Sequence, residues 1–350
     1  MSNVSLPKPS RYQDMRFNPR LESASILVIA LWTLCFLSSF AVILGANVRQ
    51  KVTLVQRLEE RERLRLVLAS GLRSAVVQWV AQADEKYTSL KDMYSYAQQV
   101  AQISIGEDLC TIGATHAGLK TGAIEFVPGV VDEERKINLN TADRKVLAKL
   151  FMHILGIPEM EAQDFAGAFI DWRDADEESS ASSSAEGPYY RGLPSPYEPK
   201  NAFFELPDEL LLVKGVTPAV FVQIRPYVTV FGTGKVNINT ASTVVLQSLG
   251  LSDLMVAKII EFRGGKDGVE GTSDDGIFEK RDSIVALMAP FFKEQQIELD
   301  QLEEIAGSLL TTVSDYFSIE AEAGLMHKRI TAEGRCVFSR EGTILYWRES

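Results

Sequence analysis

No charged residue occurs between Glu22 and Arg49, and the stretch from Ser25 to Ala46 reads SILVIALWTLCFLSSFAVILGA. A run this long and this apolar crosses a bilayer as a single helix, because only a structure that satisfies its own backbone hydrogen bonds survives in hydrocarbon. The chain is therefore expected to be membrane-anchored through residues 25–47. Lys8, Arg11, Arg16 and Arg20 precede the span against Asp14 and Glu22, but Arg49 and Lys51 follow it, so loop charge alone does not fix its orientation. A cleaved secretory signal has a shorter apolar core that gives way at once to soluble sequence. Here the apolar run passes into a helical pattern instead. Leu54, Leu58, Leu68, Leu72, Val76 and Trp79 or Val80 recur at about four residues, and Glu59 to Arg63 form a solvated turn. An unbroken helix from Ser25 to about Ala83 would be roughly 90 Å long.

Beyond the span the composition is that of a globular protein. The 350 residues carry a net charge of −11, which repels phosphate backbones and makes nucleic acid a disfavoured partner. Three cysteines are too few for a disulfide framework. Cys35 falls in the span, whereas Cys110 and Cys336 fall outside it and could pair in an oxidising compartment, two unpaired thiols being the alternative.

Lys86 to Gln102 reads as a loop and a short helix, and Ala123 to Gly129 (AIEFVPG) as a strand ending in a turn. An internal repeat follows. Ile137-Asn-Leu-Asn-Thr-Ala142 returns as Val236-Asn-Ile-Asn-Thr-Ala241, and each copy continues into Val-Leu, then Leu-Gly (Leu155-Gly156, Leu249-Gly250), then a helix closing at Arg173 or Arg263. The spacing predicts a helical hairpin entered from a strand in each copy, with Asn140/Thr141 and Asn239/Thr240 capping the first helix and Leu-Gly marking the break. Glu209 to Val216 (ELLLVKGV) adds a helix and a glycine turn between the copies. Asp176 to Ala202 is rich in Ser, Pro and acids and reads as a long surface loop or a disordered segment. From Ser314 onward, polar and apolar residues alternate between glycine-containing turns, the pattern of an antiparallel meander. Strands flanking a helical middle imply one α+β domain interrupted by an α-helical one.

The search for catalytic chemistry returns little. His116, His153 and His327 lie in none of the metal or nucleophile motifs, so no enzyme is expected. Two acidic segments invite a cation. Asp171, Asp174, Asp176, Glu177 and Glu178, with Glu186 beyond, crowd the end of one helix and the loop after it. Asp267, Asp274 and Asp275 interleave with glycines in Gly264 to Gly276. Hard oxygen donors at this density suit Ca²⁺, the alternative being a solvated acidic loop. Neither segment has EF-hand spacing, and no Lys-Ser pair makes the glycine loop a phosphate cradle.

The segment Val236 to Arg263 resembles a helix-hairpin-helix unit, as in membrane-anchored competence DNA receptors. DNA-binding versions present a Gly-hydrophobic-Gly turn to phosphate. Here the turns read Leu249-Gly-Leu-Ser-Asp253 and Leu155-Gly-Ile-Pro-Glu159: the second glycine is absent, and an acid follows in both. A membrane-anchored DNA receptor is the alternative reading.

The whole chain resembles the type II secretion system protein K family, the K-type minor pseudopilins. The residues that carry the likeness are the SILVIALWTL span, Asp132-Glu133 leading into KINLNTA, the DWRDAD segment and its loop through YYRGL, the ELLLVKGV helix, VNINTA, and the strands from about Ser314. The resemblance implies an α+β fold: a cytoplasmic leader (1–24), a transmembrane part of a long pilin-like helix (25–47), a periplasmic helix and first part of a pilin-like domain (48–136), an α-helical insert with two helix-hairpin-helix-like repeats and a long acidic loop (137–310), and closing antiparallel strands (311–350). It implies cleavage of the leader by a prepilin peptidase between Ala24 and Ser25, methylation of the new terminus, and an apolar fifth mature residue, Ile29, where pilin-like subunits usually carry Glu. It further implies calcium in the insert, and partners that include the type I and type J minor pseudopilins, other pseudopilins, the secretin and exoproteins. The expected location is the bacterial inner membrane, with the bulk of the chain in the periplasm.

Overall fold

In the computed structural model the described residues are 19–83, 86–117, 124–175, 187–293, 295–325 and 331–349. The chain divides into two units, residues 1–62 and 63–350. The described part of the first is helical throughout, belonging to α1 (Pro19–Gln82), and its apolar side chains from Ile26 to Leu58 are exposed. This is the one helix among the described residues long and apolar enough to cross a membrane.

In the second unit the remainder of α1 turns one face inward. Leu64, Val67, Leu68, Leu72, Ala75, Val76 and Trp79 are buried, at the three- and four-residue spacing that aligns side chains along one helix face. They pack with α2 (Leu90–Val100) on a seven-stranded antiparallel sheet. Its strands are β1 (Gln102–Ile105), β2 (Asp108–Ala117), β3 (Ile124–Pro128) and β4 (Val131–Asp132), then, far along the chain, β9 (Tyr316–Gly324), β10 (Thr331–Ser339) and β11 (Ile344–Glu349). The main order is β1-β2-β9-β10-β11, with β3 on β2 and β4 on β9. Trp79 sits edge-on to Tyr96 of α2 and Phe317 of β9, at centroid distances of 5.2 and 5.0 Å.

Between β4 and β9 lies the helical insert, which has its own apolar core. Short parallel pairs mark its two copies: β5 (Ile137–Asn138) with β6 (Val228–Thr229), and β7 (Val236–Asn237) with β8 (Leu310–Thr311). Each copy leads into a hairpin, α3 (Arg144–Leu155) with α4 (Glu159–Arg173) and α7 (Thr243–Ser248) with α8 (Asp253–Arg263). Between them lie α5 (Gly187–Arg191) and α6 (Pro218–Ile224). After them come α9 (Ile284–Met288) and α10 (Gln296–Ser308). The ELLLVKGV stretch is a 3-10 turn over Pro207–Leu212 rather than an α-helix, with Pro207 at its start and Gly215 left-handed at φ +84° beyond its end.

Two expectations are corrected. The hairpins are capped by Asp143 and Ser242, whose side chains accept from the amides of Val146 and Val245, and not by the Asn-Thr pairs. Asn140 and Asn239 instead act as artificial strand partners: each accepts from and donates to the backbone of one distant residue, Phe204 and Phe278 respectively. Cys110 and Cys336 do not pair. Both are buried free thiols on β2 and β10, opposite Ala323 and Ile319 of the intervening β9. Two strand spacings of about 4.8 Å, plus the offset along β9, exceed the reach of a disulfide.

Candidate functional site

The most unusual chemistry of the molecule lies where sheet and insert meet. Asp132, Glu133, Glu134, Arg135 and Lys136 are all buried, the most exposed of them at 6 %. Charged side chains are rarely taken so far from water unless each is paired and hydrogen-bonded. Here the three carboxylates are hydrogen-bonded in a consistent pattern, each to the insert on one side and to the strands around β9 on the other, whereas the buried Arg135 Nη2 has no hydrogen-bond partner among the described residues. Asp132 Oδ2 accepts from Thr240 Oγ1 at 2.6 Å and Asn237 Nδ2 at 3.1 Å on the insert, and from Ser314 Oγ at 2.6 Å beside β9. Glu133 accepts from Thr229 Oγ1 at 2.7 Å on β6, while its other oxygen meets Lys136 Nζ at 2.7 Å and Arg335 Nη2 of β10 at 3.3 Å. Glu134 accepts from the Thr233 amide at 2.9 Å and the Asp315 amide at 2.6 Å. Asn237 also reaches the Thr88 carbonyl, and Arg340 donates to the Thr88 hydroxyl and the Ser314 carbonyl, so the segment before α2 joins the network.

Burial alone would raise the Glu133 carboxyl, but the opposed charges of Lys136 and Arg335, with their hydrogen bonds, bring it down to about 2. A carboxyl lowered in the folded state lends stability above its unfolded pKa and loses it as pH falls through the folded one. Asp132 and Glu134 are lifted, chiefly by burial, and work in the opposite direction. The Glu133 contribution is therefore isolated by difference. Relative to Glu133→Gln, the natural chain is expected to lose on the order of 3 kcal/mol between about pH 5 and pH 2, read from denaturant midpoints across that range.

A second buried pair anchors the glycine loop. Arg263, at the end of α8, donates to the carbonyls of Ile238 and Ala241 and pairs with Glu270 at 2.6 Å, both side chains being almost fully buried. Arg173, at the end of α4, makes the same contacts in the first copy, to the carbonyls of Leu139 and Ala142. Gly271, at φ +96°, lies so close to Tyr94 of α2 that a Cβ there would overlap the ring. The loop is thus a packing element as well as an acidic one.

Of the candidate calcium ligands, Asp176, Glu178 and Glu186 lie outside the described residues. Asp171 is buried on α4 and Asp174 half-buried at its end. Asp267, Asp274 and Asp275 do come together, but around their own loop. Asp274 Oδ2 accepts from the Lys266 and Asp267 amides, Asp275 from those of Gly271 and Thr272, and Asp267 from that of Val269. The Thr272 hydroxyl, then the Lys266 amide, holds the Asp274 carboxyl below its ordinary range. The donor set is hard oxygen throughout, the chemistry Ca²⁺ takes, although no three His, Cys, Asp or Glu side chains converge as a metal site among the described residues. Ala24 and Ser25 fall within α1, but their side chains lie outside what the structure describes, and Ile29 is exposed on the same helix.

The charged junction was not legible as a site in the sequence. A DEERK run is ordinarily a solvated surface turn, and the hints to it were Asp132-Glu133 among the residues of the family likeness and its position immediately before the first Asn-Thr-Ala motif.

Residues 129–233 match the family described as type II secretion system (T2SS), protein K. A curated relative, type II secretion system protein K of Aeromonas hydrophila, is 38% identical over 88 residues, which are 25% of this chain and 27% of that protein. The match thus spans about a quarter of the relative's length. Among solved structures, a chain of the GspK-GspI-GspJ complex from the type 2 secretion system of enterotoxigenic Escherichia coli shares the fold, with a TM-score of 0.63 and 16% identity over 85% of this chain and 99% of that one. The family segment opens at the bridging carboxylates, runs through the first hairpin and closes at Thr233, the partner of Glu134. Over this segment the chain is similar to the type II secretion system protein K family.

Proposed function

We propose that the protein is a minor pseudopilin of a type II secretion system, anchored in the inner membrane with its bulk in the periplasm, and that it forms the tip of the pseudopilus with the type I and type J minor pseudopilins. The observation that carries this reading is the sheet domain split by a helical insert, with the family segment spanning the point of insertion. The likeness to a chain of the GspK-GspI-GspJ complex supports the choice of partners. The role is one of assembly rather than turnover. In this reading a prepilin peptidase cuts between Ala24 and Ser25 and the new terminus is methylated. An uncompensated glutamate at the fifth position would be costly in lipid, and Ile29 suits a subunit with no neighbour ahead of it. The paired hairpins are helix-hairpin-helix-like units that keep the fold without the DNA function, since Glu159 and Asp253 place negative charge where phosphate would approach.

The deciding experiment is N-terminal sequencing of the protein from membranes of cells with and without prepilin peptidase. A methylated, peptidase-dependent start at Ser25 is the expected result; an intact Met1 leader in both strains would overturn the reading. Calcium belongs to the same proposal. Asp267, Asp274 and Asp275 are the described residues that would hold it, with the acidic segment after α4 as the other candidate. Adding Ca²⁺ to chelator-treated protein is expected to raise its melting temperature, and Asp274→Asn to reduce that gain. No shift on addition would remove calcium from the proposal.

A further inference from the structure

The two hairpins repeat one pattern, yet they are finished differently. In the second copy α10 lies across the turn: Gln301 Nε2 donates to the Gly250 carbonyl at 2.7 Å, and Ser252 Oγ donates to Glu298 Oε2 at 2.5 Å. Ile305 comes within 3.8 Å of a Cβ built on Gly250. As a result Leu249 and Leu251, which flank that glycine, are 8 % and 5 % exposed. Their counterparts in the first copy, Leu155 and Ile157, are only half-buried; a Cβ on Gly156 would meet nothing within 4 Å, and Met160 beside the turn is 81 % exposed. The same surface opens into a cavity of about 480 Å³ lined by Met160, Glu161, Asp164, Phe165, Lys214 and Gly215 among others. Cavities of this size and mixed lining are the usual dimensions of a recognition pocket.

We infer that the first hairpin is a docking site for an amphipathic helix of a partner protein, laid across the turn as α10 is laid across the second. The duplication shows what covers this motif: α10 presents Leu299, Leu302 and Ile305 inward. Charge then selects the occupant. Glu159 and Glu161 stand exposed on the first turn of α4, while Asp164 is paired with Arg144 at 3.9 Å and Lys214 lines the cavity as well, so at the turn itself α10's own acidic polar face, with Glu298, Asp300, Glu303 and Glu304, would be repelled. The helix that fits carries an apolar stripe flanked by Lys or Arg, the helix-in-groove mode of recognition. This inference stands apart from the secretion reading, since it rests on the difference between two copies within one chain.

The test uses the full chain in detergent and two stapled fluorescent peptides: the α10 sequence Gln296–Ser308 as it stands, and the same sequence with Glu298, Asp300, Glu303 and Glu304 each replaced by Lys. Fluorescence anisotropy is expected to show binding of the lysine peptide only. Met160→Ser, and separately the pair Glu159→Lys with Glu161→Lys, are expected to weaken it about tenfold while leaving circular dichroism unchanged, because these side chains are exposed. Equal binding of both peptides, binding indifferent to these variants, or no binding at all would overturn the proposal. So would a concentration-dependent dimer abolished by Met160→Ser, which would make a second copy of this chain the occupant.

Discussion

Asp132→Ala is expected to cost the folded chain about 3–5 kcal/mol, the range found when one partner of a buried charged network is deleted. The substitution leaves Thr240, Asn237, Ser314 and the Glu134 amide pointing at a void with no water to replace the carboxylate. At roughly 2–4 °C per kcal/mol for a domain of this class, the melting temperature of the detergent-solubilised protein should fall by about 10 °C. Asp132→Asn keeps the shape but offers one oxygen and an amide donor to groups that already donate, and should lie between alanine and the natural residue. Because the donors come from both the insert and the β9 side, the loss should also appear as earlier proteolysis at the junction than within either core. A melting temperature unchanged by alanine would mean the carboxylate is not what joins the two halves.

Gly71→Val should be comparably severe for a different reason. A Cβ at Gly71 would lie 2.3 Å from Cys110 Sγ and 2.8 Å from its Cβ, so α1 touches the sheet there with no room for a side chain. Glycine in a helix interior is disfavoured by about 1 kcal/mol relative to alanine, so close approach explains why one is present. Valine must push α1 away from β2 and open the core around Leu68 and Leu72, a penalty of about 3 kcal/mol or more. The check is a thermal melt of Gly71→Val beside a double-mutant cycle in which Gly71→Ala is combined with Cys110→Gly. Recovery of part of the Gly71→Ala loss in the double variant would locate the clash at this contact.

The broad plan was readable because it rests on local patterns: the uncharged span, the period of Leu68, Leu72, Val76 and Trp79, the alternation after Ser314 and the twofold Asn-Thr-Ala signature. What the sequence hid depends on partners distant along the chain. Asn140 and Asn239 look like helix caps because local spacing allows it, but they serve backbone groups at Phe204 and Phe278, while the neighbouring Asp143 and Ser242 do the capping. The buried run from Asp132 to Lys136 is invisible for the same reason, since its partners Thr229, Thr240, Ser314 and Arg335 are each about a hundred residues or more away. The thiols of Cys110 and Cys336 suggested a bond only until β9 was seen to stand between them.

The register of Asp132 opposite Phe317 has a consequence for the order in which the molecule is made. The chain leaves the sheet and rejoins it at adjacent positions, so the strands made first, β1 to β3, have no β9 to close against until the whole insert has been synthesised. During that interval the inward face of α1 and the buried side of β2 are exposed, while the insert, with a core of its own, can already fold. An early-folded insert also brings its two ends together, shortening the effective loop that β2 and β9 must close. The helical insert is thus positioned to act as an internal template for the sheet, and slow or faulty insert folding would surface as aggregation of the strands on either side of it.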